Sequence, residues 1–455
     1  EKDDDLLETV SNLVEIPVVL KGDFEEDFLS LPKEVLISVM KNHQKYFPVF
    51  SKSRKDELLQ HFIFVCGTPV KDTDVVSKGN ERVIRARFTD ARFFYDEDKS
   101  APLMEKLEDL KGMVYLSEVG SYYDKTERLK TLANELGNKL GFDNNTIDIV
   151  RAAFLSKADL ATQMVFEFPE LQGIMGKYYA EISGETPEVA LAIEEHYMPT
   201  GRDGDLPKSD YGSVLSIVDK IDNISSCFIS GLIPTGTSDP YALRRQAIGI
   251  LNIVLNKSYH LSLREFFKVG LQSIINQTGD KYRESLDDTL KNIMSFIIER
   301  FRNIMTTEGY AQDVVEAVVS VEFDDILDAK RKIEALTEFR KAADFETLGI
   351  AFKRVVNIVK DHTGNVIDDH LIETAEKELH SSFSNVRGKV EAKILEKNYS
   401  DSLLHMKELK DPVDTFFDNV MVMDEDPKIR ENRLSMLAEI KNLFFKIADF
   451  SKLSV

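Results

Sequence analysis

Residues 154–179 read FLSKADLATQMVFEFPELQGIMGKYY, and residues 216–223 read SIVDKIDN. In the second stretch Ile217, Val218 and Ile221 recur at helical spacing, so Asp219 and Asp222 ride on an apolar helix. With Asp159 in the first stretch, the chain carries carboxylates on separate helical segments. A metal-dependent phosphohydrolase of the His-Asp class uses imidazole and carboxylate ligands from several helices to hold an ion that activates water. Here the triplet Lys157-Ala158-Asp159 stands where a His-Asp pair would sit. Ala158 cannot ligate a metal, and Lys157 would repel one. His196, in Glu194-Glu195-His196-Tyr197, is the one histidine near in sequence. Two readings stay open. One is a divalent-metal hydrolase using Asp159, Asp219 and Asp222. The other, preferred on the donor set, is buried ion pairs of Asp219 or Asp222 with Lys157 or Lys220.

Working outward, the segment 78–99, KGNERVIRARFTDARFFYDEDK, interleaves Arg82, Arg85, Arg87 and Arg92 with Phe88, Phe93, Phe94 and Tyr95. Arginine with aromatics suits phosphate contact and base stacking. The plainer alternative is an amphipathic helix with its aromatics packed inward and its arginines solvated or paired. Before it, Val18-Val19-Leu20 and Phe62-Ile63-Phe64-Val65 read as short strands, and Lys33 onward as a helix with Pro32 at its first turn. From about Met113 strand signals nearly vanish. Leu129, Leu132, Ala133, Leu136 and Leu140 recur at helical spacing, with Gly141 as a stop. Turns at 184–188 and 199–212 separate further helices. In 232–255, LIPTGTSDPYALRRQAIGILNIVL, Pro234 and Gly236 make a turn and Ser238 or Asp239 caps a helix whose first turn holds Pro240. Arg244 and Arg245 then lie early on that helix, able to meet the aspartates or a phosphate. The stripes Ile293, Ile297, Phe301, Ile304 and Leu437, Ile440, Phe444, Ile447 are core patterns. The charged stretch 328–341 reads as a bridge between helical domains.

The 455 residues suffice for about three domains. Apolar and charged fractions of 43% and 30% are those of a folded globular chain. A formal charge of −21 argues against general polyanion or DNA binding but leaves room for a structured RNA on local basic patches. No apolar run reaches the roughly 18 residues of a membrane span. The start, Glu1-Lys2-Asp3-Asp4-Asp5, is expected to be a cut inside a longer protein. Cys66 and Cys227, each in an apolar setting, read as free thiols of a reducing compartment, most simply the cytoplasm. There is no phosphate-binding glycine loop, CxxC, HExxH or GxSxG elbow, and the eight histidines are scattered. No catalytic set and no metal set emerges.

Several segments, in order, resemble the β subunit of bacterial glycyl-tRNA synthetase of the heterotetrameric type: 31–50, 79–98, 155–180, 194–199, 234–251, 338–360 and 416–453. The resemblance implies a mainly α multidomain chain. It would comprise an α+β remnant at 1–112, an HD-like helical domain at 113–262, a helical linker region at 263–335 and an all-α anticodon-binding domain of the arginyl-tRNA synthetase type at 336–455. The family's N-terminal portion would be missing. The implied function is the tRNA-binding subunit of a glycine–tRNA ligase, itself non-catalytic and binding no cofactor. The α subunit, its partner in an α2β2 assembly, would use ATP and Mg to charge tRNA(Gly). Lys157, Asp159, Asp219, Asp222, Arg244 and Arg245 would form a degenerate HD-like cluster. Arg82, Arg85, Arg87, Arg92, Lys353, Arg354, Lys428, Arg430 and Arg433 would be the tRNA contacts. Ion pairing of Arg430 or Arg433 with Glu431 or Asp424 is the alternative for those two, and a solvated helix face for Lys353 and Arg354. A scaffold that holds the α subunit without touching RNA is a third possibility.

Overall fold

The structure, a computed structural model, describes residues 3–454 apart from 55, 143, 144, 202, 203, 322, 343, 344 and 361. Arg202 and Asp203 of the 199–212 turn therefore lie outside the described residues, as do Ala343 and Asp344 of the 338–360 segment. The chain divides into two compact units: 1–226 with 270–283, and 227–269 with 284–455. Among the described residues no helix is long and apolar enough to cross a membrane.

The first unit opens with a small α+β portion. Strands β1 (Val18–Asp23), β2 (Phe47–Phe50) and β3 (Leu58–Cys66) form an antiparallel sheet in the order β1-β3-β2. Phe62 and Phe64, two apart on β3, share the buried face, and Tyr46 stacks on Phe62 at 4.8 Å. Gly22 pairs with Phe62, and a Cβ there would run into the end of the ring, so only glycine fits. The helix Thr73–Asp98 is capped by Asp72 and buries Ile84, Phe88 and Ala91, spaced i, i+4, i+7. Phe88 meets Phe24 and Phe28 with ring centroids 5.0 and 5.4 Å apart.

The rest of this unit is almost entirely helical. Tyr122–Lys139 starts in a Ser121–Asp124 capping box, buries Leu129, Leu132, Ala133 and Leu136, and stops at Gly141 with φ of +81°. Thr146–Leu155, Ile174–Ile182 and Pro187–Glu195 follow, then Asp210–Ile229. That last helix is buried around its circumference: Val214, Leu215, Ile217, Val218, Ile221 and Ile224 are all inaccessible. Asp219 and Asp222 on it are buried too, so each charge must be matched inside the protein.

In the second unit, the helix Leu243–Lys257 is capped by the Asp239 carboxylate, which accepts from the backbone N–H of Leu243 and Arg244. Pro240 sits in the turn before the helix rather than in its first turn, because Ala242 takes a left-handed φ of 52° and delays the helical start. The charged stretch 328–341, read as a bridge between helical domains, lies within the second unit. Most of it belongs to the helix Ile326–Phe339, which buries Ile326, Ile333 and Leu336. Asp328 there lies beneath Lys397 (2.6 Å), Lys332 (3.0 Å) and the Tyr399 hydroxyl. The C-terminal helices are Phe345–Val359, Thr374–Leu395, Tyr399–Lys407, Lys410–Asn419 and Pro427–Phe445. Phe352 of the first stacks on Phe444 of the last at 4.2 Å, and Phe450 closes edge-on against both. Both predicted core stripes are buried, except that Ile304 is half-covered and Met305 takes the deep place beside Phe301.

Candidate functional site

Asp219 and Asp222 face cations from two other segments. Arg128, fully buried, donates from Nε to Asp222 Oδ1 (2.6 Å) and from Nη2 to Oδ2 (3.1 Å), and its Nη1 reaches Gln277 (2.8 Å). Lys125, one turn earlier on Tyr122–Lys139, donates to Asp222 Oδ2 and Asn223 Oδ1, both at 2.8 Å. Lys125 and Lys157 each stand 3.1 Å from Asp219 Oδ1, close enough for a strong attraction though neither N–H is aligned as a hydrogen bond. Lys157 also approaches His196 Nε2 at 2.7 Å and lies over the Tyr197 ring at 4.1 Å.

These contacts fix the charge states. Burial opposes the charge on Asp219, but Lys125 and Lys157 outweigh it and hold the carboxyl well below its ordinary range. Burial likewise opposes Asp222, and Arg128 and Lys125 prevail. Burial would also strip the proton from Lys125, but Asp219 and Asp222 hold it on and raise that ammonium above its usual value. Lys157 goes the other way: burial, aided by Lys125, draws it down in spite of Asp219. Burial and Lys157 push the His196 imidazole well below its normal value, so it is neutral at pH 7. Its Nδ1–H donates to the Ile193 carbonyl at 2.6 Å, which leaves Nε2 to accept from Lys157. Asp159 is a separate case. Burial pushes it up to about 6, although its Oδ2 accepts the Gly173 N–H at 2.6 Å. Its Oδ1 and the Tyr197 hydroxyl have no partner among the described residues.

A metal ion does not fit this donor set. The ammonium of Lys157 already lies between Asp219 and the His196 Nε2 lone pair, with Lys125 beside it. A divalent ion at that point would face two ammoniums at contact distance. The hydrolase reading therefore fails on charge, and Lys220 donates to the Ser216 hydroxyl at 2.7 Å and to the Met198 carbonyl at 2.8 Å. Arg244 and Arg245 belong to the second unit. Arg244 donates to the Gly236 carbonyl of its own turn at 2.8 Å, and Arg245 is exposed. Sequence reading missed Lys125 and Arg128, yet both extend the buried Leu129–Leu132 stripe at i−4, and a cation on an apolar stripe marks a buried pair.

The basic candidates separate by what already holds them. Arg92 lies over the Phe28 ring at 4.1 Å and bonds Asp27 at 3.0 Å; Arg85 pairs with Glu25 at 2.5 Å. Arg82 and Arg87 are exposed and have no partner among the described residues. Arg433 is buried, bound to Glu376, to Asp424 and to the Met421 carbonyl, so it is a structural residue and not a surface contact. Arg430 donates to the Asp424 carbonyl at 3.1 Å. Arg354 is an exposed residue whose guanidinium lies over Phe417 at 4.5 Å. Lys353 and Lys428 have free ammoniums among the described residues.

A family model described as the glycyl-tRNA synthetase beta subunit matches residues 1–320, and one described as the DALR anticodon binding domain matches 348–450. The glycine–tRNA ligase beta subunits of Geotalea daltonii and Geotalea uraniireducens are 47% and 48% identical over 453 and 456 residues. That of Myxococcus xanthus is 42% identical over 458 residues. Each alignment covers 99% of this chain and 65% of the relative, so the chain spans just under two thirds of the length of the curated relatives it matches. With a family model covering most of its length and relatives this similar throughout, the chain belongs to the glycyl-tRNA synthetase β-subunit family.

Proposed function

We propose that this chain binds tRNA(Gly) as the β-subunit portion of a cytoplasmic glycine–tRNA ligase and does no chemistry of its own. Glycine, ATP and Mg would be handled by an α subunit in an α2β2 assembly. The observation behind this reading is the match of residues 348–450 to an anticodon-binding domain within a β-subunit family member. The charge distribution supports it: on a chain of net charge −21, Arg82, Arg87, Lys353 and Lys428 are cations left without a protein partner among the described residues. Unneutralised cations on an acidic body favour a specific polyanion over indiscriminate binding. The buried cluster takes a structural role, fixing Tyr122–Lys139 and the 157 segment to the central helix.

The test is binding of a tRNA(Gly) transcript to this chain over a salt series, followed by addition of α subunit, glycine and ATP. Affinity that falls steeply with salt supports the reading. Absence of binding at low salt would leave the chain as an RNA-independent scaffold for the α subunit.

A further inference from the structure

The helix Thr73–Asp98 runs for 26 residues, about 39 Å, and buries Ile84, Phe88 and Ala91 along one side. The opposite side is a line of exposed residues at steps of three or four, from Val75 through Gly79, Arg82, Ala86, Asp90 and Phe93 to Glu97. Two of these are large apolar side chains left in water, Val75 at 65% and Phe93 at 61% exposure. A Cβ on Gly79 would meet nothing within 4 Å, so the surface is open there. Arg85 and Arg92 of the same helix are held by Glu25 and Asp27, whereas Arg82 and Asp90 on the outward line have no partner among the described residues.

Reversed end for end, this line complements itself about Ala86. Four residues to either side stand Arg82 and Asp90, a cation and an anion. Seven to either side stand Gly79 and Phe93, the smallest side chain and one of the largest. Two copies of the helix laid antiparallel about Ala86 therefore bring each Arg82 beside an Asp90 and seat each Phe93 over a Gly79. A two-fold axis makes each contact twice. Antiparallel helices pack in such layers, and alanine at the crossing lets the backbones approach. A parallel pair would set Arg82 against Arg82 and Asp90 against Asp90. Two bodies of charge −21 repel each other, so a contact between copies needs a locally balanced face of this kind. Asp90 and Glu97 on the same line oppose a phosphate backbone, which disfavours RNA as the occupant.

We propose that the outward face of Thr73–Asp98 docks a second copy of this chain, antiparallel across a two-fold axis at Ala86. One helix face is small beside the roughly 1,200–2,000 Å² that stable assemblies bury, so the dimer is weak and concentration-dependent. The proposal does not rest on the tRNA-binding reading. It engages Arg82 and leaves Arg87, on the flank of the helix, with Lys353 and Lys428 for RNA.

Sedimentation velocity of the chain over a concentration series, without nucleic acid, tests it. Wild type is expected to move from monomer towards dimer as concentration rises. Arg82→Asp and Asp90→Arg each bring like charges together twice and should weaken self-association by about 10-fold or more, at unchanged far-UV circular dichroism. An equimolar mixture of those two variants, in which opposite charges meet again, should restore a heterodimer. Ala86→Cys should give a disulfide-linked dimer on mild oxidation where the wild-type chain gives none, because the axis brings the two copies of that position together. A wild-type chain monomeric at every concentration, a dimer that both charge reversals leave unchanged, or a mixture that stays monomeric would overturn the proposal. Loss of tRNA(Gly) affinity in Arg82→Asp, with no self-association in wild type, would overturn it in favour of RNA on this face.

Discussion

Replacing Asp219 with leucine and replacing Lys157 with methionine remove opposite ends of the same buried contact, and the structure says they differ sharply. Asp219 Oδ1 serves two ammoniums at 3.1 Å, Lys125 and Lys157. In Asp219→Leu, Lys125 keeps Asp222 and Asn223, but Lys157 keeps only the neutral His196 nitrogen and the face of the Tyr197 ring. Removing one side of a buried pair costs about 3–5 kcal/mol. The loss has a ceiling, because Lys157 can release its proton instead. Deprotonating an ordinary lysine at pH 7 costs about 4.8 kcal/mol at 1.36 kcal/mol per pH unit, and Lys157 already lies below the ordinary value. A loss of about 3–4 kcal/mol follows. In Lys157→Met, Asp219 retains Lys125, the volume is nearly kept, and the desolvation of an ammonium is removed. The expected change is within about 1 kcal/mol of wild type in either direction. Urea unfolding followed by far-UV circular dichroism measures both.

A pH signature accompanies the contrast. A lysine held below its unfolded value makes folding more favourable as pH rises from its folded pKa towards about 10.5. Wild type should show that alkaline gain and Lys157→Met should lack it. If Lys157→Met proves as damaging as Asp219→Leu, the cations and not Asp219 limit the cluster, and the reasoning from charge fails.

Other perturbations probe separate parts of the molecule. Asp159, raised to about 6, binds a proton more readily folded than unfolded, so it lowers stability as pH climbs from about 4 through 6. Asp159→Asn should therefore stabilise the protein above pH 6, by at most about 3 kcal/mol, with the gain fading below about pH 4; a less stable variant at about pH 7.5 would contradict this. Arg433→Ala leaves the Glu376 carboxylate buried without its cation and should cost about 3–5 kcal/mol in urea unfolding, a loss that a solvent-facing RNA contact would not produce. Lys353→Ala with Arg354→Ala should weaken tRNA binding and reduce its salt slope by about 0.7 for each phosphate ion pair removed, at unchanged stability; unaltered affinity would remove that face from the interface. Gly22→Ala should destabilise by about 1–3 kcal/mol through its clash with the Phe62 ring, read as a lowered melting temperature.

Much of the fold was legible because periodicity reports burial directly. The stripe from Leu129 to Leu136 and that from Leu437 to Ile447 lie buried where their spacing placed them, and β1 and β3 coincide with the β-branched and aromatic runs. What the sequence could not supply was pairing across long separations. Nothing local to Asp222 names Arg128 or Lys125, more than ninety residues away, and nothing near Arg433 names Glu376. Charge runs misled for the same reason. The 328–341 stretch reads as a bridge between helical domains, and nothing in it tells that Lys397 and Tyr399 arrive from another part of the unit to meet Asp328. The loop before Leu243 misled through its backbone: a left-handed alanine is invisible to propensity, so the helix starts later than Pro240 suggests.

If this chain positions RNA, it must distinguish its own tRNA from others. Fluorescence anisotropy of a labelled tRNA(Gly) transcript with the chain, across a salt series and beside a non-cognate tRNA, reads that discrimination at equilibrium. Tighter binding of tRNA(Gly) is expected, with log affinity falling linearly against log salt at a slope set by a few phosphate contacts. Equal affinity for both tRNAs, or none for either at low salt, would contradict it.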